Sequence, residues 1–281
     1  MLNFQKKELV YSLVGIVVVL LIFGILILNS QSASKVSKEA ASNPSGSTIA
    51  PTAVVNDVAN VPQSTLTTVG LGTITNKPKP IKAPALIKNN LPEVFYEGAE
   101  FCPYCATERW AMAIALSKFG TFSNLRITHS STTDVYPDTH TLSFYKSTYT
   151  SKYINFTPVE LETNIASSSG GYTTLQNPTK NENAIANKYD ATPYVSAQSA
   201  GAIPFIDFGG KYLISGATYS PQVLQGLSTQ QIASDLSNPK SPVAKGADGA
   251  ANTIIAAICS MTKNKPTTVC NSFIQNVESI L

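Results

Sequence analysis

The spacing of apolar and polar residues changes character along this chain. Val10 to Leu28 is an unbroken apolar run without a charge, about 19 residues against the ~20 that a helix needs to cross a bilayer. From Ser30 to about Asn90 the periodicity is lost. Ser, Thr, Ala, Asn and Pro dominate there, with Pro44, Pro51, Pro62, Pro78, Pro80 and Pro84 spaced along it, and such a segment buries too little to offset its ordering entropy. It reads as a linker, in which Val54-Val55 and Leu71-Gly72-Thr73-Ile74 are short patches able to dock as strands and Lys77-Pro78-Lys79-Pro80 is extended.

Regular patterns begin near Leu86. Val94-Phe95-Tyr96 is a strand, Gly98 opens a tight turn, and Thr107 to Phe119 carries its large apolar residues at helical spacing. Gly120 ends that helix, and Leu125 to Ser130 reads as a second strand. After a polar loop, Thr141 to Tyr145 and Tyr153 to Leu161 are further strands, read as a hairpin. Thr179 to Lys188 is a short amphipathic helix between Pro178 and Pro193. Two β runs then flank Gly209-Gly210, a hairpin signal, and Pro204 stands at the start of the first. The remainder is helical: a short helix from Ser220-Pro221, Thr229 to Leu236, Pro242 to Thr262, and a last amphipathic segment from Thr268 to Leu281. The fold class is α/β with a C-terminal helical extension.

Composition narrows the function. Of 281 residues only 13% are charged and the formal net charge is +3, too weak and scattered for a nucleic-acid surface. Polarity is carried by Ser, Thr, Asn and Tyr, which suits an extracytoplasmic protein and would suit an acidic medium. The 4 cysteines fall into two local pairs, Cys102/Cys105 and Cys259/Cys270, as expected in an oxidising compartment. Val10 to Leu28 is read as a retained anchor, because its apolar core is long for a cleaved signal despite the small residues Ser32-Ala33-Ser34. Lys6 and Lys7 lie closer to it than Lys35 and Lys38, which puts residues 1–9 in the cytoplasm and everything after Asn29 outside. The expected order is cytoplasmic 1–9, transmembrane 10–28, linker 29–85 and folded domain 86–281, in a single-pass protein of the cell membrane.

Chemistry concentrates at Cys102-Pro103-Tyr104-Cys105. Cys102 falls at the helix N-cap and Pro103 at the first helical position, where the missing N–H is no loss. Free N–H groups and the helix dipole then favour a thiolate on Cys102, and Cys105, one turn on, is close enough to bond with it. Half of a zinc site and a structural loop are the alternatives. A zinc site usually needs a second ligand pair, and His129 and His140 are not at ligand spacing, so no metal is assigned. Tyr104 is expected to be exposed and Trp110 to lie in the core. Glu97, Glu100 and Glu108 are candidate general bases for Cys105 but are expected to be solvated, His129 to lie at the surface, and Asp207 to alternate along a half-buried strand without a role. Cys259 and Cys270 are expected to clip two helices across a turn, a structural disulfide rather than a second redox pair. Asn155-Phe156-Thr157 is a weak glycosylation signal.

Phe101-Cys102-Pro103-Tyr104-Cys105 at a helix start, with Ile203-Pro204-Phe205 before a hairpin, resembles the thioredoxin-like superfamily over roughly Leu91 to Ser220. The run Phe-Cys-Pro-Tyr-Cys-Ala-Thr-Glu-Arg-Trp and the anchored architecture look like an archaeal membrane-anchored family of undetermined function, domain-of-unknown-function 929. The resemblance implies a thioredoxin-like fold with an insertion between the active-site helix and the hairpin, and a cis Ile203-Pro204 bond against the cysteines. There Pro204 would shape the site and keep metal away, and the backbone at Ile203 would bind an extended substrate by strand addition. Thioredoxins carry a buried acid where Tyr96 stands here, so the base for Cys105 is unassigned. The expected activity is thiol-disulfide oxidoreduction without a cofactor on protein thiols or disulfides, with Cys102 attacking, Cys105 resolving, Ile203, Pro204 and Tyr104 binding substrate, and a membrane redox partner. The rival readings are a non-catalytic interaction domain of a surface complex and a soft-metal (copper) carrier using the same thiolates.

Overall fold

In the segment expected to be a linker, Val54 and Val58 lie one helical turn apart, and both are buried. The computed structural model describes residues 45–281, so the cytoplasmic and transmembrane expectations for 1–28, and residues 29–44 of the linker, lie outside the described residues. Ile49–Leu281 forms one compact unit. It opens with helix α1 (Thr52–Ala59), followed by α2 (Gln63–Val69). The linker expectation for 29–85 is therefore corrected over these two helices, and Val54-Val55 belongs to a helix, not a strand. The sparse apolar residues Val54, Val58, Val61 and Leu66 are buried in the main core. Side chains from elsewhere satisfy the carbonyls at both helix ends. Lys118 Nζ donates to Ala59 O and Val61 O at 3.3 and 2.8 Å, and Asn252 Nδ2 donates to Leu66 O and Gly70 O at 2.8 and 2.7 Å.

The sheet follows from alternation. Strand β1 (Leu91–Gly98) sends Val94 and Tyr96 to one core and Phe95 to a second core on its other face. Helix α3 (Pro103–Ser117) follows, then an insertion built of β2 (Gly120–Ser123), β3 (Arg126–His129), β4 (His140–Ser143) and β5 (Thr148–Ser151). Within it β2 pairs with β5 and β3 with β4, both antiparallel. The chain returns to the main sheet as β6 (Asn155–Glu160), parallel to β1 with Val94 opposite Phe156. So the run from Tyr153 to Leu161 does not form a hairpin with Thr141 to Tyr145. Gly120 also opens a strand, where an added Cβ would lie 2.4 Å from Thr150 O.

Next come β7 (Glu162–Ala166) and β8 (Tyr172–Thr174), an antiparallel pair, and α4 (Lys180–Tyr189), which a Thr179/Glu182 capping box starts. Strands β9 (Phe205–Phe208) and β10 (Tyr212–Ser215) form the expected hairpin, with Gly209 and Gly210 both at positive φ. The main sheet runs β10-β9-β1-β6, β9 lying antiparallel to β1, and short strands at Lys79–Pro80 and Ile87–Lys88 extend it. Ile206, Phe208 and Ile214 join the core that holds α3, whereas Phe205 and Leu213 join Ile185, Ala186 and Tyr189 of α4 on the other face. The result is a mixed α/β architecture with helices on both faces of the sheet.

A 3-10 turn (Pro221–Leu224), α5 (Thr229–Asp235), α6 (Pro242–Met261) and α7 (Ser272–Glu278) complete the unit. Cys259 and Cys270 are bonded to each other across the turn between α6 and α7, as expected. Among the described residues no helix is long and apolar enough to cross a membrane.

Candidate functional site

Gly98 ends β1, and the turn Ala99-Glu100-Phe101 delivers Cys102 to the N-cap of α3 with extended backbone angles, φ −78° and ψ 120°. Pro103 takes the first helical position. The Cys102 sulfur itself caps the helix: Cys105 N–H donates to Cys102 Sγ at 3.3 Å. Both cysteines are free thiols and both are buried, Cys102 with 6% of its surface exposed and Cys105 with none. What little access there is reaches Cys102.

That asymmetry extends to acidity. The hydrogen bond from the Cys105 side chain pulls the Cys102 thiol below its ordinary value against the effect of burial, aided by backbone N–H groups and the Arg109 charge. Burial pushes the Cys105 thiol well up, and the bond to Cys102 adds to this. Of the two thiols, Cys102 is therefore the more acidic and Cys105 the less.

Across from the cysteines, the Ile203-Pro204 peptide is cis, as expected, and the Cys102 thiol points at Ile203 O with Sγ to O 3.8 Å. Gly216 N–H donates to Pro204 O at 2.8 Å, tying this loop to the end of β10. A cavity of about 400 Å³ opens beside it, lined by Tyr104, Ala202, Ile203, Gly216, Tyr219 and Pro221 among others. Tyr104 is 40% exposed and packs edge-on against Tyr136, centroids 5.9 Å apart. The structure thus brings Cys102, Cys105, Tyr104, Ile203 and Pro204 together. It leaves Cys259 and Cys270 at the far end of α6, bonded and away from them.

Beneath the cysteines lies a charged pair that the sequence reading missed. Arg109 stands four residues after Cys105 and seven after Cys102, on the same stripe of α3. Its Nε donates to Glu160 Oε1 at 2.8 Å and its Nη2 to Glu160 Oε2 at 2.7 Å, with both side chains fully buried. Nη2 also donates to Ala99 O at 2.6 Å, in the turn that carries Cys102. Arg109 Nη1 and the Tyr96 hydroxyl are buried without a hydrogen-bond partner among the described residues. A signal for this was present: from Trp110 to Leu116 the helix is apolar without a break, leaving no solvent face, so a charge on the adjoining turn at Arg109 is expected to be buried and paired.

The carboxylates near the site need correction. Glu100 and Glu108 are fully buried, not solvated. Glu100 Oε1 accepts from Ser143 Oγ at 2.5 Å. Glu108 Oε2 accepts from Thr218 N–H and Oγ1 at 2.9 and 2.7 Å, yet burial outweighs these bonds and lifts its pKa to about 7. Glu97 is partly buried and is likewise raised to about 7, by burial first and then by Asp190 and Glu182. Asp207 is more than half-buried, with 1% exposed, and its Oδ1 accepts from Gly210 N–H at 2.6 Å, fixing the hairpin turn. Trp110 is core, its Nε1 donating to His140 O at 3.2 Å, and His129 is a part-exposed residue 3.0 Å from Asp138 Oδ1. Among the described residues there is no group of three or more His, Cys, Asp or Glu able to hold a metal ion.

The family model described as Domain of unknown function (DUF929) matches residues 79–260. No curated protein and no solved structure matches the chain.

Proposed function

The chain belongs to the DUF929 family, and from its cysteine site we propose that it is a thiol-disulfide oxidoreductase of protein thiols and disulfides, anchored in the membrane and facing outward. The observation that carries this reading is the unequal pair: Cys102 Sγ caps a helix at the edge of a groove with its thiol acidified, while Cys105 is fully buried behind it and held protonated. The strand order β10-β9-β1-β6, with α3 linking parallel β1 and β6 and a hairpin closing the other side, supports a thioredoxin-like fold. The apolar run Val10 to Leu28 and the Cys259–Cys270 bridge support the outward-facing placement.

In the reducing direction, the Cys102 thiolate attacks one sulfur of a substrate disulfide. A Cys102–substrate S–S bond forms and the other substrate sulfur leaves as a thiolate, which takes up a proton. Cys105 then loses its proton and attacks Cys102 Sγ, forming the Cys102–Cys105 bond and releasing the second substrate thiol, so two electrons have passed to the substrate. The same steps reversed oxidise a dithiol. Arg109 lies where its charge favours the Cys105 thiolate, working against burial. Ile203 and Tyr104 wall the groove that receives the substrate chain.

A trapping experiment tests the reading. Cys105→Ala should accumulate mixed disulfides on Cys102, Cys102→Ala should accumulate none, and Cys102 should be alkylated with a midpoint below the ordinary thiol value of about 8.5. No adducts and an ordinary midpoint together would defeat the proposal. Tight stoichiometric Cu(I) uptake by the reduced protein would favour a carrier instead.

A further inference from the structure

On the face of the sheet opposite the cysteines, a second cavity of about 290 Å³ is lined by Glu97, Ala186, Asn187, Asp190, Ala191, Ala200 and Gly201. Its size suits a side chain rather than a drug-sized ligand, for which ~300–1,000 Å³ is usual. Asp190 follows the last turn of α4 and is 7% exposed; the Ser215 side chain and the Gly201 N–H favour its carboxylate form, and its Oδ1 has no hydrogen-bond partner among the described residues. A buried carboxylate oxygen left without a donor is costly, and a further N–H donor would satisfy it. The charged groups bearing on Glu97 are Asp190 and Glu182, both negative. Lys188, on the same helix, has its ammonium over the Tyr189 ring, 5.0 Å from the centroid. Ala186, Ala191 and Ala200 add methyl groups to the lining.

We propose that this cavity binds the side chain of a lysine or arginine from a polypeptide ligand, its aliphatic stem against the alanines and its N–H donors on Glu97 and Asp190. Long basic side chains bury their stems along apolar walls in this way, and N–H donors match acceptor-only carboxylates. A bare divalent cation fits worse, since hard cations take six or more oxygens and the cavity offers two carboxylates. The location adds to the reading. Ala200 and Gly201 line this cavity, and the next residues, Ala202 and Ile203, line the groove beside Cys102. A polypeptide lying along that loop can reach both. Ionisation sets the conditions: burial raises Asp190 to about 6 and Glu97 to about 7, so a basic ligand binds by displacing protons and binds best above about pH 7.

The test uses the full chain in detergent, with Nα-acetyl-lysine amide and Nα-acetyl-arginine amide as probes and Nα-acetyl-norleucine amide as the uncharged control, followed by calorimetry. Binding of the basic probes at pH 8, at least tenfold weaker at pH 5, with proton release, is expected. Glu97→Gln and Asp190→Asn should each weaken it at least tenfold while the alkylation rate of Cys102, which also reports folding, stays unchanged. Equal affinity for norleucine amide, insensitivity to both substitutions, or displacement of the probes by millimolar Ca²⁺ would overturn the proposal. None of these outcomes bears on the redox reading, which the trapping experiment decides separately.

Discussion

Glu160→Ala should be among the most damaging substitutions outside the hydrophobic core. Arg109 and Glu160 are both fully buried and share two short hydrogen bonds, so removing the carboxylate leaves a guanidinium with only Ala99 O as acceptor. Breaking a buried pair by deleting one partner costs about 3–5 kcal/mol, because the remaining charge is desolvated and unpaired. For a unit of this size about 2–4 °C is lost per kcal/mol, so the midpoint should fall by roughly 6–20 °C. Replacing both partners, Arg109→Met with Glu160→Leu, should recover most of that loss, since the desolvation penalty disappears with the charges. Thermal and urea unfolding of Arg109→Met, Glu160→Leu and the double variant close the cycle. A useful control is Lys88–Glu93, 3.6 Å apart with the lysine 47% exposed, where Lys88→Ala should cost about 0–1 kcal/mol. Costs that simply add in the double variant, or a Glu160→Ala loss below about 1 kcal/mol, would refute the reasoning. The same variants report on chemistry: without the Arg109 charge, Cys105 is harder to ionise, and mixed disulfides on Cys102 should persist longer.

Stability should fall as pH rises. Burial lifts Asp248 from 3.8 to about 8 and Glu108 from 4.5 to about 7, and both are fully buried, so the folded state holds protons that the unfolded chain has lost. Their contribution is complete below about pH 4 and is lost through about pH 7–8; a melting temperature that climbs from pH 5 to 8 would contradict this. Cys259→Ser with Cys270→Ser should cost about 3 kcal/mol in the chain-entropy estimate for a separation of 11 residues, without altering Cys102 alkylation, and unchanged urea unfolding would count against a stabilising bridge. Tyr96→Phe removes a buried hydroxyl that lacks a partner and should stabilise by about 1 kcal/mol; a loss on unfolding assays would mean that the hydroxyl is satisfied. Gly98→Ala should destabilise by about 1–3 kcal/mol, because its Cβ would sit 2.2 Å from the Tyr96 hydroxyl oxygen; an unchanged melting curve would show that the ring moves freely.

What could be read from the chain was local. The helix start at Cys102-Pro103, the hairpin at Gly209-Gly210, and the pairing of Cys259 with Cys270 each rest on residues close in sequence. What could not be read depends on distant partners. Glu108 is buried because Thr218 caps its carboxylate, and Glu100 because Ser143 does so. Neither partner announces itself in a composition dominated by Ser and Thr. Arg109 and Glu160 meet only because β6 lies parallel to β1. The hairpin expected between Thr141 and Leu161 failed for the same reason: each strand alternates correctly, but its neighbour is chosen by the sheet.

Helices α1 and α2 have one more consequence. The matched family stretch begins at residue 79, whereas the buried core already takes in Val54 of α1 and Leu66 of α2. Asn252, inside the matched stretch, spends its amide on the carbonyls of Leu66 and Gly70, outside it. The unit that recurs among relatives and the unit that closes its own core are therefore different objects in this chain. A fragment cut at residue 79 would keep every cysteine and the whole groove-facing loop, yet it would open α6 to water along the side that α2 covers. Such a fragment would retain the chemistry on paper and lose it to aggregation in the tube, so any minimal version must start ahead of Thr52.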